Sequence, residues 1–343
     1  MKRRAHITLD DIAKKVKVSR VTVSKALRGH PDISEKTSKL VKKVASDLGY
    51  SPNFIARNLS ARRSNMLGVV VPKIAHFFFS SVIEAIYNTA FEKNYETILT
   101  VSQENAEREK KHIQTLVSMR VDGIIISVSQ ETKDVEIFKW IQKMGIPVVF
   151  VDRMPNPPIA GFSSVQVDDK GGASQVVEQA VKAGYRKIAM VGGNPTVNIG
   201  KNRQSGFEES MMRHQIPVKP EWIVHGGFGK EDGYRGFKHL CESGDRPEFV
   251  FAITYPVALG IYEAAKELGL RIPDDIDIIC FGESDMINLL HPSLSCVSQH
   301  TQELGTKAVK TMLEIIEHPD EVAERHLVIP TKLILRETGI GRK

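Results

Sequence analysis

Apolar residues in the stretch "LDDIAKKVKVSRVTVSKALRG" (residues 9–29) recur at helical spacing twice in succession. Leu9, Ile12, Ala13 and Val16 fall at i, i+3, i+4 and i+7 and so share one helix face. Asp10 and Asp11 lie in the first turn of that helix, where the dipole favours anions. Lys17-Val18 reads as a short turn and Ser19 as the N-cap of a second helix. In the second helix Val23, Ala26 and Leu27 pack inward, which leaves Arg20, Val21, Thr22, Lys25 and Arg28 near its N-terminus or on its outer side. Gly29 suits the position just past the helix, and Pro31 follows. A third helix is predicted from the N-cap Ser34 to about Leu48, with Leu40, Val41, Val44 and Leu48 as its buried stripe and Gly49 closing it.

From Asn65 onward the pattern changes to apolar, β-rich runs alternating with helical stretches. The runs include residues 66–71, 96–101, 122–127, 147–151, 187–192, 248–253 and 277–280, and helices fit between them over 81–93, 104–119, 170–183 and 256–268. Such alternation predicts parallel, doubly wound sheets. The segment is long for one sheet of this kind, so two lobes with a cleft between them are expected.

The length of 343 residues allows two or three domains. The net charge of +6 is spread unevenly: residues 1–63 carry 16 Lys/Arg against 5 Asp/Glu, and the rest carries 31 against 36. A basic head on a mildly acidic body points to a nucleic acid or another anionic surface, the alternative being a merely solvated basic face. Cys241, Cys280 and Cys296 form neither a disulfide framework nor a zinc site. "MKRRAHITLDD" has no apolar signal core and no apolar run reaches membrane-spanning length, so a cytoplasmic protein that does not meet a membrane is expected.

Two short helices, a tight turn and a bracing third helix describe a helix-turn-helix unit, although a bare three-helix bundle has the same periodicity. In such a unit the second helix enters the major groove by its N-terminal end. Arg20 then pairs with guanine edges, Val21 meets a thymine methyl, and Lys25 reaches a base or a phosphate. Ser19, Thr22 and Ser24 carry short hydroxyls suited to phosphates, which set register rather than sequence.

The residues here become more specific than their periodicity. "TLDDIAKKVKVSRVTVSKALRG", "ISEKT", "LGYSPN" and "ARNL" follow in order near the N-terminus. This resembles the DNA-binding head of the LacI/GalR family of bacterial transcription regulators. The resemblance also places Leu9, Arg28 and Thr37 among the DNA contacts and makes residues 53–63 a hinge helix. It implies that two such helices, one per subunit, pair in the minor groove, with Leu59 as the inserted wedge and Asn53 and Ala56 as neighbouring contacts. An apolar wedge unstacks a base step at a cost of a few kcal/mol and lets bent DNA meet more protein. Arg57, Arg62 and Arg63 suit backbone phosphates. The alternative is a flexible linker in which Leu59 packs locally, since so short an isolated helix is marginal.

The resemblance extends over the body through "RVDGIII", "VDDKGGA", "IPDDI" and "LILRET". It implies an all-α helix-turn-helix head with a hinge helix, then an α/β two-lobed core like a periplasmic binding protein, with parallel doubly wound sheets. The expected domains are 1–52, the hinge 53–63 and a core 64–343, with the first lobe taking about 64–160 plus 294–325 and the second about 161–293 plus 326–343. Ligands of open α/β sheets bind beyond the carboxyl ends of strands. Asp152 follows such a strand, and the resemblance matches Phe78, Phe79, Arg203 and Phe228 to positions of the effector cleft, so all are candidates for binding an effector, a sugar or sugar derivative. Core packing is the alternative for the phenylalanines, and an interlobe salt bridge for Arg203. The family commonly has Asn-Asp where this chain has Thr254-Tyr255, and Asp where it has Gly282, so two anchors for sugar hydroxyls are missing. Tyr255, Thr254 and Glu283 are the candidates to compensate.

No catalytic or metal signature holds, and no cofactor is expected. "GGNPTVNIGK" and "GGFGKED" have Pro195 and Val224 where a phosphate loop needs its first glycine. Asp168 and Asp169 read as a helix cap rather than as a catalytic pair. The expected function is a ligand-responsive regulator, not an enzyme. It would be a homodimer on near-palindromic double-stranded operator DNA, by default a repressor of carbohydrate-utilisation genes. The competing class is a cytoplasmic sugar-binding or sugar-processing protein with an incidental basic head.

Overall fold

Short polar side chains start the helices of the head. A computed structural model of the chain describes residues 7–50, 63–75, 77–242, 244–319 and 323–341, and it divides into unit 1 (residues 1–64) and unit 2 (residues 65–343). In unit 1, α1 (Leu9–Val16) begins with a reciprocal capping box: the Thr8 hydroxyl accepts from the Asp11 amide, and the Asp11 carboxylate accepts from the Thr8 amide at 2.9 Å. Ser19 caps α2 (Arg20–Leu27) by accepting from the Thr22 amide at 3.0 Å, and Ser34 caps α3 (Glu35–Asp47) by accepting from the Thr37 amide. Lys17, at φ 57°, makes the turn between α1 and α2.

The three helices close over Ile12, Ala13, Val23, Ala26, Val41 and Ala45. The expected stripe of α3 is corrected at one position. Leu40 is 48% exposed, and Ala45, one turn past Val41, takes the inner place because α3 turns a narrow, small-residue face to α1 and α2.

Unit 2 contains two six-stranded sheets. The first holds β1 (Met66–Val71), β2 (Glu96–Val101), β3 (Gly123–Ile126), β4 (Val148–Val151), β5 (Ser163–Val167) and β11 (His326–Ile329), in the order β11-β5-β4-β3-β1-β2. All its pairings are parallel. The second holds β6 (Ile188–Val191), β7 (Ile223–Val224), β8 (Phe249–Ala252), β9 (Asp277–Phe281), β10 (Ser295–Ser298) and β12 (Lys332–Ile334), in the order β12-β10-β9-β8-β6-β7. It is parallel except for β12, which runs antiparallel to β10.

The helices between these strands are α4 (Phe77–Glu92), α5 (Ala106–Ser118), α6 (Glu136–Lys143), α7 (Asp169–Lys182), α8 (Asn198–Arg213), α9 (Lys230–Glu242), α10 (Tyr255–Glu267) and α11 (Thr301–Glu317). Strand residues of the first sheet alternate between two cores. Val70, Ile124, Ile126 and Phe150 pack with α5 and α6, while Val69, Val71, Ile125 and Val149 pack with α4 and α11. Among the described residues no helix is long and apolar enough to cross a membrane.

The expected lobe boundaries require correction. β5 and β11 pair in register with each other in the first sheet, from His326 opposite Ser164 to Ile329 opposite Val167. β10 belongs to the second sheet, beside β9. The chain therefore crosses between the lobes just after β5, just after β10 and between β11 and β12. Strand partners lie far apart in sequence, and local pattern carries no record of which distant edge a strand will join.

One helix pair of the second lobe, α9 and α10, approaches to backbone contact. A Cβ added at Gly260 of α10 meets the carbonyl oxygen of Lys230 and the amide of Tyr234 in α9, and one at Gly233 of α9 meets the carbonyl oxygen of Val257. Gly260→Ala is thus expected to push the helices apart and destabilise unit 2 by about 1–3 kcal/mol. A urea midpoint that falls at unchanged slope is the expected reading, and an unmoved midpoint would show the contact to be yielding.

Candidate functional sites in the head and the cleft

The outer side of α2 presents a cluster of cations and one bare hydrocarbon. Val21 is 63% exposed, so it has no packing role in the head. Arg20 is exposed and lies 3.8 Å from Asp10. Lys25 is held by Asp32, which also accepts from His30 at 2.7 Å; the Lys25 contact draws the Asp32 carboxyl below its usual range. Arg28 folds back on its own helix, donating Nε to the Ser24 carbonyl at 3.2 Å and Nη2 to the Ser24 hydroxyl at 3.1 Å. Ser19 and Thr22 share a hydroxyl contact at 2.8 Å. Leu9 is half-buried against the head core, and Thr37 is half-buried at the start of α3. Arg20, Val21, Thr22, Ser24 and Lys25 thus belong to one short helix, with Ser19 capping its start and Arg28 its end. Asn53, Ala56, Arg57, Leu59 and Arg62 lie outside the described residues.

In unit 2, the sequence-derived effector candidates converge. Phe78 and Phe79 of α4, Asp152 after β4, Arg203 of α8, Phe228 after β7, Thr254 and Tyr255 at the start of α10, and Glu283 after β9 line one cleft of about 500 Å³, its open mouth included. Most follow the carboxyl ends of strands, where a doubly wound sheet exposes its loops.

Several of these residues also hold the structure together. Phe79 is buried and meets Phe78 edge-on at 5.1 Å, so core packing and cleft lining coincide there. Arg203 is buried; its Nε donates to Asp169 Oδ1 at 2.7 Å, its Nη1 to the Ile253 carbonyl at 2.8 Å, and its guanidinium lies 3.7 Å over the Phe281 ring. The ion pair joins α7 to α8 inside the second lobe, so the salt bridge given as the alternative role of Arg203 forms within one lobe and not between the two. Burial pushes the Asp169 carboxyl up, and Arg203 pulls it back. Asp168 caps α7 as expected, accepting from the Gly171 amide at 2.8 Å. The Thr254 hydroxyl caps α10 and donates to the Phe228 carbonyl at 2.9 Å, so it is already engaged. Glu283 accepts from the Ser298 hydroxyl at 2.7 Å.

Asp152 has φ 62°, a left-handed conformation that Asp adopts more readily than most residues. Its carboxyl is buried and pushed up to about 7, chiefly by desolvation and against the pull of Arg153. Arg153 was not singled out by the sequence. It is only 3% exposed, and one nitrogen, Nη1, reaches both carboxylate oxygens of Glu104 at 2.9 Å. Its guanidinium lies 4.8 Å from the centre of the Phe228 ring and 5.8 Å from that of Phe79, so it stands between an aromatic of each lobe. Its place directly after Asp152, at the end of a buried strand, was the available signal. Ile199, Phe281 and Gln299 also line the cleft without having been marked.

The chain was compared with known proteins. Residues 8–53 match the family model described as bacterial regulatory proteins, lacI family, and residues 177–338 match a periplasmic binding protein-like domain. The ribose operon repressor of Halalkalibacterium halodurans is 31% identical over 97% of each chain. Catabolite control protein A of Staphylococcus xylosus is 27% identical over 97% of this chain and 99% of its own. Among solved structures, a lac repressor dimer bound to operator and the anti-inducer ONPF superposes with a TM-score of 0.86 at 24% identity, covering 98% of this chain and all of that one. That last likeness speaks to the fold.

Proposed function

Given that this chain belongs to the LacI family of bacterial regulatory proteins, we propose that it is a transcription repressor that binds a near-palindromic operator as a homodimer and answers to a small molecule held in the cleft. The observation that carries the reading is α2: a helix capped at its N-terminus by Ser19, with Arg20 and the 63% exposed Val21 beside each other in its first turn. A hydrocarbon with no packing role next to a guanidinium suits the mixed methyl and acceptor surface of a major groove. The H. halodurans relative, a repressor of a ribose operon, matches over the whole length, head included. A sugar-binding protein with an incidental head does not account for that.

The mechanism follows from the parts. Phosphate contacts from Ser19 and Thr22 set the register of α2, and Arg20, Val21 and Lys25 read bases. Lys25 and Arg28 exchange their Asp32 and Ser24 partners for phosphate or base atoms on binding. The proposed hinge, with Asn53, Ala56, Arg57 and Leu59, links that event to the lobes. A ligand spanning Phe79 in one lobe and Phe228 in the other changes the lobes' relative orientation. Operator affinity then shifts by the coupling free energy between the two sites. The cytoplasm is the compartment in which such a protein meets its operator.

Arg20→Ala is expected to relax base preference at one position per half-site, costing about 1–3 kcal/mol on the preferred base and little on others. Selection of operators from a random duplex pool, followed by binding of single-base variants, checks it. A uniform loss across all sequences would make Arg20 a phosphate contact, and unchanged binding would remove α2 from the groove.

A further inference from the structure

We infer that Asn198 is the residue that positions the two lobes: its side-chain amide latches α8 of one lobe to the Asp152–Met154 turn of the other and holds the lobes closed without help from a ligand. The contact consists of two hydrogen bonds. Asn198 Nδ2 donates to the Asp152 carbonyl at 3.0 Å, and Asn198 Oδ1 accepts from the Met154 amide at 3.2 Å. Asp152 and Met154 follow β4 of the first sheet, whereas α8 follows β6 of the second, so both bonds cross between lobes. Asn198 is 9% exposed and Met154 is buried. Among the described residues the Met154 amide has no other acceptor. Closed lobes without Asn198 would bury that donor unmade, which is costly, while open lobes would hand it to water. Removing the Asn198 amide therefore penalises the closed arrangement in particular.

Both halves of the latch are fixed within their own lobes. In the first lobe the Arg153 amide donates back to the Val151 carbonyl at 2.7 Å, across Asp152 at φ 62°. This is a three-residue turn of the strained γ kind. The Asp152 amide donates to the Val165 carbonyl of β5 at 3.0 Å, and Gln166 Nε2 shares the Asp152 carbonyl at 3.3 Å. Strained turns persist where surrounding contacts over-determine them, and Asn198 adds two such contacts from the other lobe. In the second lobe Asn194 Oδ1 accepts from the Thr196 amide at 3.0 Å and the Thr196 hydroxyl at 2.7 Å. The Val197 amide donates to the Asn194 carbonyl at 3.1 Å, and a Cβ at Gly200 would strike that same carbonyl oxygen. The first turn of α8 is thus pinned, and the direction of Asn198 with it. Asn commonly bonds to nearby backbone of its own segment. Here α8 begins with no side-chain cap, and the amide in its first turn reaches across to the other lobe instead.

Neighbouring contacts run the same way. From the same turn the Arg153 guanidinium reaches the Phe228 ring of the second lobe at 4.8 Å, and Asn156 Nδ2 donates to the Thr196 carbonyl at 3.4 Å. Every group in these contacts belongs to the chain itself, so closure has its own source of stability. The inference goes beyond the effector reading and does not depend on it. Under that reading, a small molecule acts on lobes that already rest closed, and its effect is a shift in the equilibrium that the latch sets.

The test is hydrogen exchange read by mass spectrometry, together with small-angle X-ray scattering, on the full-length protein dialysed free of small molecules. In the wild type the segment 152–156 is expected to exchange far more slowly than the exposed loop around Lys133 and Asp134. Asn198→Leu keeps a side chain of similar size and removes both bonds. It is expected to speed exchange of the segment 152–156 by roughly tenfold or more and to enlarge the radius of gyration. Exchange of β8, in the middle of the second sheet, should stay as slow as before. A wild-type segment 152–156 that exchanges as fast as the loop overturns the inference, because the lobes then rest open. So does an Asn198→Leu protein with an unchanged radius of gyration, which reduces the contact to local packing. If Asn198→Leu fails to fold, the wild-type exchange still decides the matter.

Discussion

Arg203→Met is expected to cost the α/β body about 3–5 kcal/mol of folding stability, more than any other single change at the cleft. The guanidinium is 2% exposed and makes three kinds of contact: the Asp169 ion pair at 2.7 Å, the hydrogen bond to the Ile253 carbonyl at 2.8 Å, and the face of Phe281 at 3.7 Å. Met recovers much of the volume. It cannot answer Asp169, which is equally buried and whose carboxyl burial already pushes up. The variant must carry an unpaired buried charge or protonate it. The deficit should therefore be smaller at about pH 5 than at about pH 8. Asp169→Asn in the same chain removes the orphaned charge, so the double variant should be less destabilised than the two single losses together. Urea unfolding of the four proteins measures this. A single-variant loss under about 1 kcal/mol would mean that the pair has little structural weight. The expected result also bears on function: loss of ligand response in an Arg203 variant, taken alone, does not identify a ligand contact.

The second large effect is a fall in stability with rising pH that Glu109→Gln reduces. Glu109 of α5 is 1% exposed, accepts from the Ser129 amide at 2.6 Å and the Thr132 hydroxyl at 2.7 Å, and is pushed by burial from its ordinary 4.5 up to about 7. The folded state binds this proton more tightly than the unfolded chain does. The stabilisation is therefore full below the ordinary value and is lost as pH rises through about 7. For Glu109 alone, the interval corresponds to about 3 kcal/mol. Asp152 adds a change of the same sign. Gln stays neutral, keeps an acceptor for Ser129 and can donate to the Thr132 hydroxyl. Relative to wild type, Glu109→Gln is expected to gain stability between about pH 5 and about pH 8, read from urea midpoints in a pH series. A constant difference between the two proteins would show that Glu109 titrates at its ordinary value in the folded state.

The head was the most legible part of the chain. Its helices, its serine caps and the αL turn at Lys17 rest on neighbours within a few residues. Leu40 was the exception, because which side of α3 faces inward depends on the packing of α1 and α2. In the body, the strands named from apolar runs all occur; except for the edge strand β2 they are buried, and a strand buried on both faces has a continuous apolar signature. The short edge strands β7, β11 and β12, none of them fully buried, were not singled out, nor were the buried β5 and β10, whose runs are broken by serines.

The sequence by itself determined the kind of protein. Local spacing set the capped helices and the exposed cations of α2, and alternation of runs set the doubly wound body. Strand-end position was enough to nominate Asp152, because loops at carboxyl ends gather wherever such sheets form, while Phe228 and Glu283 were nominated by the family resemblance. The tertiary structure alone decided which sheet β5, β10 and β11 would join, that Arg203 answers Asp169 within one lobe, and that Arg153 stands between Phe79 and Phe228. These are matters of long-range partnership. A residue's own neighbours specify its conformation and its side of the chain. Whether its charge is cancelled or its hydrogen bond is left unmade depends on groups that only the folded chain brings to it.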